Sequence, residues 1–234
     1  MKYFFLIVSF FFFTACSQKE NNNLKGFTYS ASGKLVPSKS GKGRIGDNYI
    51  YAPNIRFPIE SAPAYINSQV YGVGGYLGAK GSLCNKKNYA YPWHDNYCEK
   101  RKYSMPLCSG GHGHQGVDIR TMTCEKRKYY AVAVENGVIT SIGSYTIKLR
   151  GKSGRTYRYL HLDSKTLKVR IGQKVRRGQR IGLVSNNMGK TPTSIHLHFD
   201  MKQTIKIGNR SKSVFVPPYS SLVDAYKRLL KGHP

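Results

Sequence analysis

The stretch Tyr129-Tyr130-Ala131-Val132-Ala133-Val134-Glu135-Asn136-Gly137-Val138-Ile139-Thr140-Ser141-Ile142 sets the architecture. Its first six residues are aromatic, β-branched or small, and read as a strand. Asn136-Gly137 suits a type I′ turn, so residues 138–142 are expected to return as the second arm of a hairpin. Downstream, residues 145–150, 156–162 and 167–171 repeat the pattern as short strands with turns between them. Gly178, Gly182 and Gly189 then punctuate the approach to a last apolar run, Ile195 to Phe199. Many short strands at regular intervals predict an all-β fold, a compact antiparallel sandwich or barrel-like domain. One element departs from this pattern. Leu222, Val223, Tyr226, Leu229 and Leu230 recur at helical spacing behind Pro217-Pro218, and Ser221-Leu222-Val223-Asp224 fits a capping box. A single amphipathic C-terminal helix with a short tail is expected over 219–234. No internal repeat is present.

Two histidine-bearing stretches lie within this β-rich region. In Ile195-His196-Leu197-His198-Phe199 the two imidazoles are two residues apart, so a strand points both to one side and its apolar residues to the other. In His114-Gln115-Gly116-Val117-Asp118 the polar groups are four apart. A fully extended chain, at roughly 3.3 Å per residue, would hold their Cα atoms about 13 Å apart. Ligand bonds to zinc are about 2 Å, so this segment must bend if both residues serve one ion, and Gly116 permits a bend. Two imidazoles and one carboxylate are the donor set of a catalytic zinc site that keeps one position open. His161 sits in a further strand-like run, 158–162. The other histidines have plainer readings. His94 is a loop residue, His112 lies in a glycine-rich loop and His233 is terminal. Asp200, two beyond His198, either orients a histidine from behind or simply flanks the strand.

The order His114-x-Gly116-x-Asp118, Tyr159-Leu160-His161-Leu162, Gly178-Gln179-Arg180-Ile181-Gly182 and His196-Leu197-His198-Phe199 resembles the lysostaphin/LytM-type zinc metallopeptidases over residues 65 to 218. The resemblance implies a peptidoglycan endopeptidase that hydrolyses wall peptide cross-links with one zinc ion. It implies His114, Asp118 and His198 as metal ligands, with His161 and His196 acting beside the metal as general base and oxyanion donor, in either order. Ser194-Ile195 stand where the family usually has Gly-Pro. The alternative is a non-hydrolytic wall-binding regulator of other wall hydrolases, the role of family members that have lost their ligands. All three ligands and both accessory histidines are present here.

The N-terminus reads as an export signal. Lys2 precedes an apolar run over 3–13 that is too short to span a bilayer, and Thr14-Ala15-Cys16 resembles a lipoprotein cleavage site. Residues 1–15 are expected to be removed and Cys16 lipidated. This places the chain at the periplasmic face of the outer membrane, held through its N-terminal lipid. Residues 16–48 are polar and poor in apolar periodicity, and read as a disordered tether; the metallopeptidase domain is expected over 49–218. Cys84, Cys98, Cys108 and Cys124 form no CxxC pair, and in an exported chain an even count reads as disulfides. Three connectivities are possible, and the neighbour pairs Cys84–Cys98 and Cys108–Cys124 are favoured, within an insertion over 84–124.

Thirty-eight Lys and Arg against 11 Asp and Glu give a net charge of +27. Such a field attracts polyanions. No nucleic-acid-binding motif accompanies the clusters Lys126-Arg127-Lys128 and Arg176-Arg177, so no nucleic acid is expected as a partner. Peptidoglycan peptides and anionic envelope polymers or lipid head groups suit an exported cation better.

Overall fold

The computed structural model describes residues 26–234; the expected signal segment and Cys16 lie outside the described residues. Among the described residues, ten strands run in chain order: β1 (Tyr65–Ile66), β2 (Val117–Arg120), β3 (Tyr130–Val132), β4 (Gly137–Ile142), β5 (Thr146–Gly151), β6 (Thr156–Leu160), β7 (Lys174–Val175), β8 (Arg180–Leu183), β9 (Leu197–Ile207) and β10 (Arg210–Val216). They are followed by one helix, α1 (Tyr219–Leu230). Eight strands form one antiparallel sheet in the order β1-β2-β9-β6-β5-β4-β7, with β10 also paired to β9, while β3 and β8 form a separate two-stranded ribbon. The architecture is all-β with a single C-terminal helix, as expected.

β9 is the spine. It is 11 residues long, and its first half is flanked by β2 on one side and β6 on the other. From Met201 onward β10 takes over the β2 side. Alternation sets its faces: Leu197 and Phe199 are fully buried in the core, together with Tyr157 and Tyr159 of β6. His198 and Asp200 point the other way.

The hairpin expected at Asn136-Gly137 does not join β3 to β4. β3 pairs with β8, and β4 pairs with β5 and β7. Ala131 to Val134 is fully buried, and both edges of this stretch are occupied. Val132 N–H donates to Pro58 O and Arg56 N–H to Val134 O on one side, while Gly178 N–H donates to Ala133 O on the other. An unbroken apolar run of this kind belongs to a strand covered on both faces. Gly137 is needed for closeness: a Cβ there would strike the Arg150 carbonyl of β5. Residues 167–171 also form no strand. A turn at 164–166, capped by the Asp163 carboxylate accepting from Lys165 N–H (3.0 Å), leads into an extended segment with one bond to β8, Lys168 N–H to Ile181 O (2.8 Å).

The tether expected over 16–48 does not extend through the described part. From residue 26 the chain packs on the domain. Phe27 is 2% exposed, with its ring 4.7 Å from Trp93 and 4.8 Å from Tyr226 of α1. Burying one such aromatic contributes about 1.5–3 kcal/mol. Gly33 N–H donates to the buried Asp95 carboxylate (2.9 Å), fastening the same segment a second time. Burial raises the Asp95 pKa to about 6.

α1 buries Tyr219, Leu222, Val223, Ala225 and Tyr226, but the capping box is not formed. Pro218 occupies the N-cap and offers no side-chain cap. Ser221 lies inside the helix, where its Oγ accepts the Ala52 N–H at 3.0 Å. The disulfides also differ from the favoured pairing: they are Cys84–Cys124 and Cys98–Cys108. The reason is long-range. Residues 98–99 bond to His114 and residues 103–105 to 111–113, folding this stretch back so that Cys98 faces Cys108. Arg120 Nη1 donates to Leu83 O (3.0 Å), which brings residue 84 to the chain beyond β2.

Candidate metal centre

Asp118 in β2 lies directly opposite His198 in β9, so the two side chains share a face of the sheet. His196, two residues before His198, joins that face. His114 comes from the segment entering β2. The bend expected between His114 and Asp118 is present, but the constraint on Gly116 is steric. A Cβ at 116 would collide with the Phe199 carbonyl oxygen and the Asp200 Cβ, so only glycine lets β2 approach β9 here.

The inward atoms of three residues converge. His114 Nε2 and His198 Nδ1 are 2.9 Å apart, His198 Nδ1 and Asp118 Oδ1 are 3.1 Å apart, and His114 Nε2 and Asp118 Oδ1 are 3.4 Å apart. Donors around a tetrahedral zinc with bonds of about 2.0–2.1 Å stand roughly 3.3 Å from one another, so these separations fit the ion. Among the described residues, His114, Asp118 and His198 are the group able to hold a metal, and all three are buried.

Each histidine is oriented from behind, and the outer partner fixes which ring nitrogen carries the proton. His114 Nδ1–H donates to Asn96 O (2.9 Å), leaving Nε2 free to bind. His198 is reversed: its Nε2–H donates to Asp200 Oδ2 (3.1 Å) and Nδ1 faces inward. Of the two readings open for Asp200, the orienting one holds. Asp200 is itself gripped by Arg158, whose Nε lies 2.9 Å from both carboxylate oxygens. His161 Nδ1–H donates to Asn187 O (2.8 Å), and His196 Nδ1–H to Ser194 O (2.9 Å). Both therefore present Nε2 to the cavity. His161 follows β6 with φ +68°, a left-handed conformation uncommon for a side chain with Cβ. Its carbonyl is held by both Ser185 N–H (2.8 Å) and Ser185 Oγ (3.0 Å). This turns the ring back over the sheet, parallel to Tyr145 and 4.5 Å from His196.

The electrostatics favour a cation. Burial alone would raise the Asp118 carboxyl, but His114 and His196 outweigh it and hold it well below the usual carboxylate range. Burial pulls His198 down, yet its bonds to Asp118 and Asp200 prevail and raise it to about 9. His161 shows the opposite balance. Burial first, then the neighbouring His196, lowers its pKa to about 3. The five residues open on a cavity of about 520 Å³ walled by Gln69, Tyr76, Arg101 and Tyr103 among others.

Residues 112–212, which contain all five, match Peptidase family M23. The match covers less than half of the chain. Among solved structures, the chain is similar to lytM from Ruminococcus gnavus, at 20% identity over 79% of this chain and 63% of that one, with a TM-score of 0.45. This is under two thirds of that relative's length. The catalytic domain of the antimicrobial peptidase lysostaphin from Staphylococcus simulans is 25% identical over 50% of this chain and 89% of its own, with a TM-score of 0.35. A zinc-containing peptidase from Vibrio cholerae is 27% identical over 48% of this chain and 32% of its own, with a TM-score of 0.30. No curated protein matches the chain significantly.

His94 and His112 stay outside this site. His94 is half-buried against Ser30 Oγ (2.9 Å), and His112 is exposed, bonded to Gly110 O (3.0 Å). Sequence reading missed Asn96, which lies upstream of the matched residues. Its carbonyl holds His114, and its Oδ1 accepts the Asp118 N–H (3.1 Å), so one residue positions two donors. It also missed Ser194, whose Oγ contacts both Gln69 Oε1 and His196 Nδ1. Ser194 was legible only as a departure from Gly-Pro.

Proposed function

We propose that the chain is a zinc-dependent endopeptidase that hydrolyses peptide cross-links of bacterial peptidoglycan. The observation carrying this reading is the convergence of two imidazole nitrogens and a carboxylate at zinc-compatible separations, with two further imidazoles beside them. His114, Asp118 and His198 would hold a zinc ion, which when bound would supply Lewis acidity to polarise a carbonyl and to lower the pKa of water toward 7. The other steps belong to the chain. His161, neutral at pH 7, has its Nε2 lone pair aimed into the cavity and takes the proton of the attacking water. His196 turns Nε2 into the same cavity, 3.4 Å from Asp118 Oδ1, and is placed to hydrogen-bond the developing oxyanion. Peptidoglycan as substrate rests on the family match, and the export signal expected from the sequence agrees with it. The regulator reading has no support in the site, because none of its five residues is missing.

Single substitutions and metal analysis test this. His114→Ala, Asp118→Ala and His198→Ala should lose both zinc and activity. His161→Ala and His196→Ala should keep near-stoichiometric zinc and lose at least about 100-fold in turnover, the scale of losing a general base or oxyanion donor. Turnover is read by mass spectrometry of muropeptides released from sacculi. Wild-type protein that binds no zinc, or that binds zinc and releases nothing, would overturn the reading.

A further inference from the structure

Far along the chain from the metal ligands, three guanidinium groups are brought together by three different elements. Arg56 lies in the segment that runs beside β3, Arg177 in the turn before β8, and Arg228 near the end of α1. None of the three walls the metal-site cavity. The backbone fixes their meeting. Arg56 N–H bonds to Val134 O and Gly178 N–H to Ala133 O, so residues 56 and 178 flank one stretch of chain from its two sides. The Arg56 side chain crosses that stretch and lies against Gly178, where an added Cβ would stand 3.4 Å from Cδ and 3.6 Å from Nε. Arg228 Nη2 donates to Ile55 O (2.6 Å), which places its guanidinium next to the Arg56 backbone.

The charges there are incompletely matched. Asp224 pairs with Arg228, and the Glu60 carboxylate pairs with Arg180 (2.7 Å) while only its carbonyl accepts from Arg56 Nη2 (3.1 Å). Arg56 Nε is buried and has no hydrogen-bond partner. Arg177 is anchored by its backbone, N–H to Asn136 Oδ1 (2.7 Å), and its guanidinium has no partner among the described residues. A buried donor without an acceptor is costly and is suited to pairing with an acceptor-rich anion. Partial burial, then Arg228 and Arg56, lowers the Arg177 pKa, which reports mutual repulsion at close range.

We propose that Arg56, Arg177 and Arg228 form a binding site for a phosphate group. A tetrahedral anion offers several acceptor oxygens to planar donor forks arriving from different directions, and arginine is the side chain suited to it. It would satisfy Arg56 Nε and relieve the repulsion in one step. Phosphate groups reach an exported cation either on lipid head groups or on soluble or polymeric phosphates. The site does not depend on the peptidase reading.

Isothermal titration of the protein with orthophosphate is the first test, with Arg177→Gln as the variant. Arg177 is exposed and its backbone bond survives the change, so folding is preserved. Loss of one charge-assisted contact should weaken phosphate binding about 10-fold or more. Arg210→Gln, the same charge change at an exposed position of β10, should leave it unaltered. Phosphatidic-acid vesicles, against phosphatidylserine vesicles, distinguish the sources. Arg177-dependent retention on the former assigns a lipid head group, and orthophosphate binding without it assigns a soluble or polymeric phosphate. The proposal is overturned if neither probe shows Arg177 dependence, or if Arg210→Gln weakens binding as much as Arg177→Gln.

Discussion

Replacing Asp200 by asparagine keeps the shape of a fully buried side chain and removes its charge. Asp200 Oδ2 accepts the His198 Nε2–H at 3.1 Å and faces Arg158 Nη2 at 2.6 Å. An amide can still accept from the ring, but it no longer enriches the Nδ1 electron pair that faces the metal, and it can turn an N–H toward the ring and reverse the tautomer. Loss of such an outer partner lowers metal affinity by about 10–100-fold, or about 1.4–2.7 kcal/mol. Folding is affected separately, because Arg158 loses its counter-ion. Its side chain keeps 21% exposure and stacks on Phe215 at 4.6 Å, so the penalty stays below the 3–5 kcal/mol typical of a fully buried broken pair. Zinc competition against a chromophoric chelator reads the first quantity, and thermal unfolding in EDTA the second. If zinc affinity stays within about twofold of wild type while stability falls, Asp200 is a structural counter-ion and the orienting role is wrong.

Phe27→Ala should destabilise the protein by about 3–5 kcal/mol in denaturant unfolding, whereas an unpacked tether would tolerate it without change. Non-reducing peptide mapping should recover residue 84 linked to 124 and 98 linked to 108; in the chain-entropy model the loops of 40 and 10 residues correspond to about 4 and about 3 kcal/mol. His161 has a folded pKa of about 3 against about 6.5 in an unfolded chain, so its contribution to stability is full above pH 6.5 and is lost as pH falls. Zinc-free wild type should therefore lose about 2 kcal/mol relative to His161→Gln between pH 8 and pH 5, and a pH-independent difference between the two would contradict the burial of that ring.

The donors were legible because their spacing is local. His196 and His198 declare a shared strand face by themselves, and the need for a bend at Gly116 follows from chain geometry. What held them in place was not legible. His114, His161 and His196 are each oriented by a backbone carbonyl, of Asn96, Asn187 and Ser194, and a carbonyl leaves no mark in a sequence. The β3 run shows a second limit: Asn136-Gly137 is a strong local turn signal, but edges already taken by residues 56–60 and by β8 decided the pairing. Cysteine connectivity and the packing of Phe27 likewise depend on which distant segments meet.

β9 gives the candidate site and the scaffold a common register. Asp118 meets His198 only because residue 118 pairs with 198, and the same ladder seats Leu197 and Phe199 in the core. Shifting the strand by one residue exchanges its two faces, sending imidazoles into the hydrocarbon interior and leucine to the candidate metal site. The polypeptide therefore has no route to a well-folded sheet carrying a slightly misaligned site. Length changes are sorted accordingly. The turn at Gly208, between β9 and β10, can absorb added residues, whereas one residue inserted between His198 and Asp200 shifts every pair beyond it and abolishes site and core together.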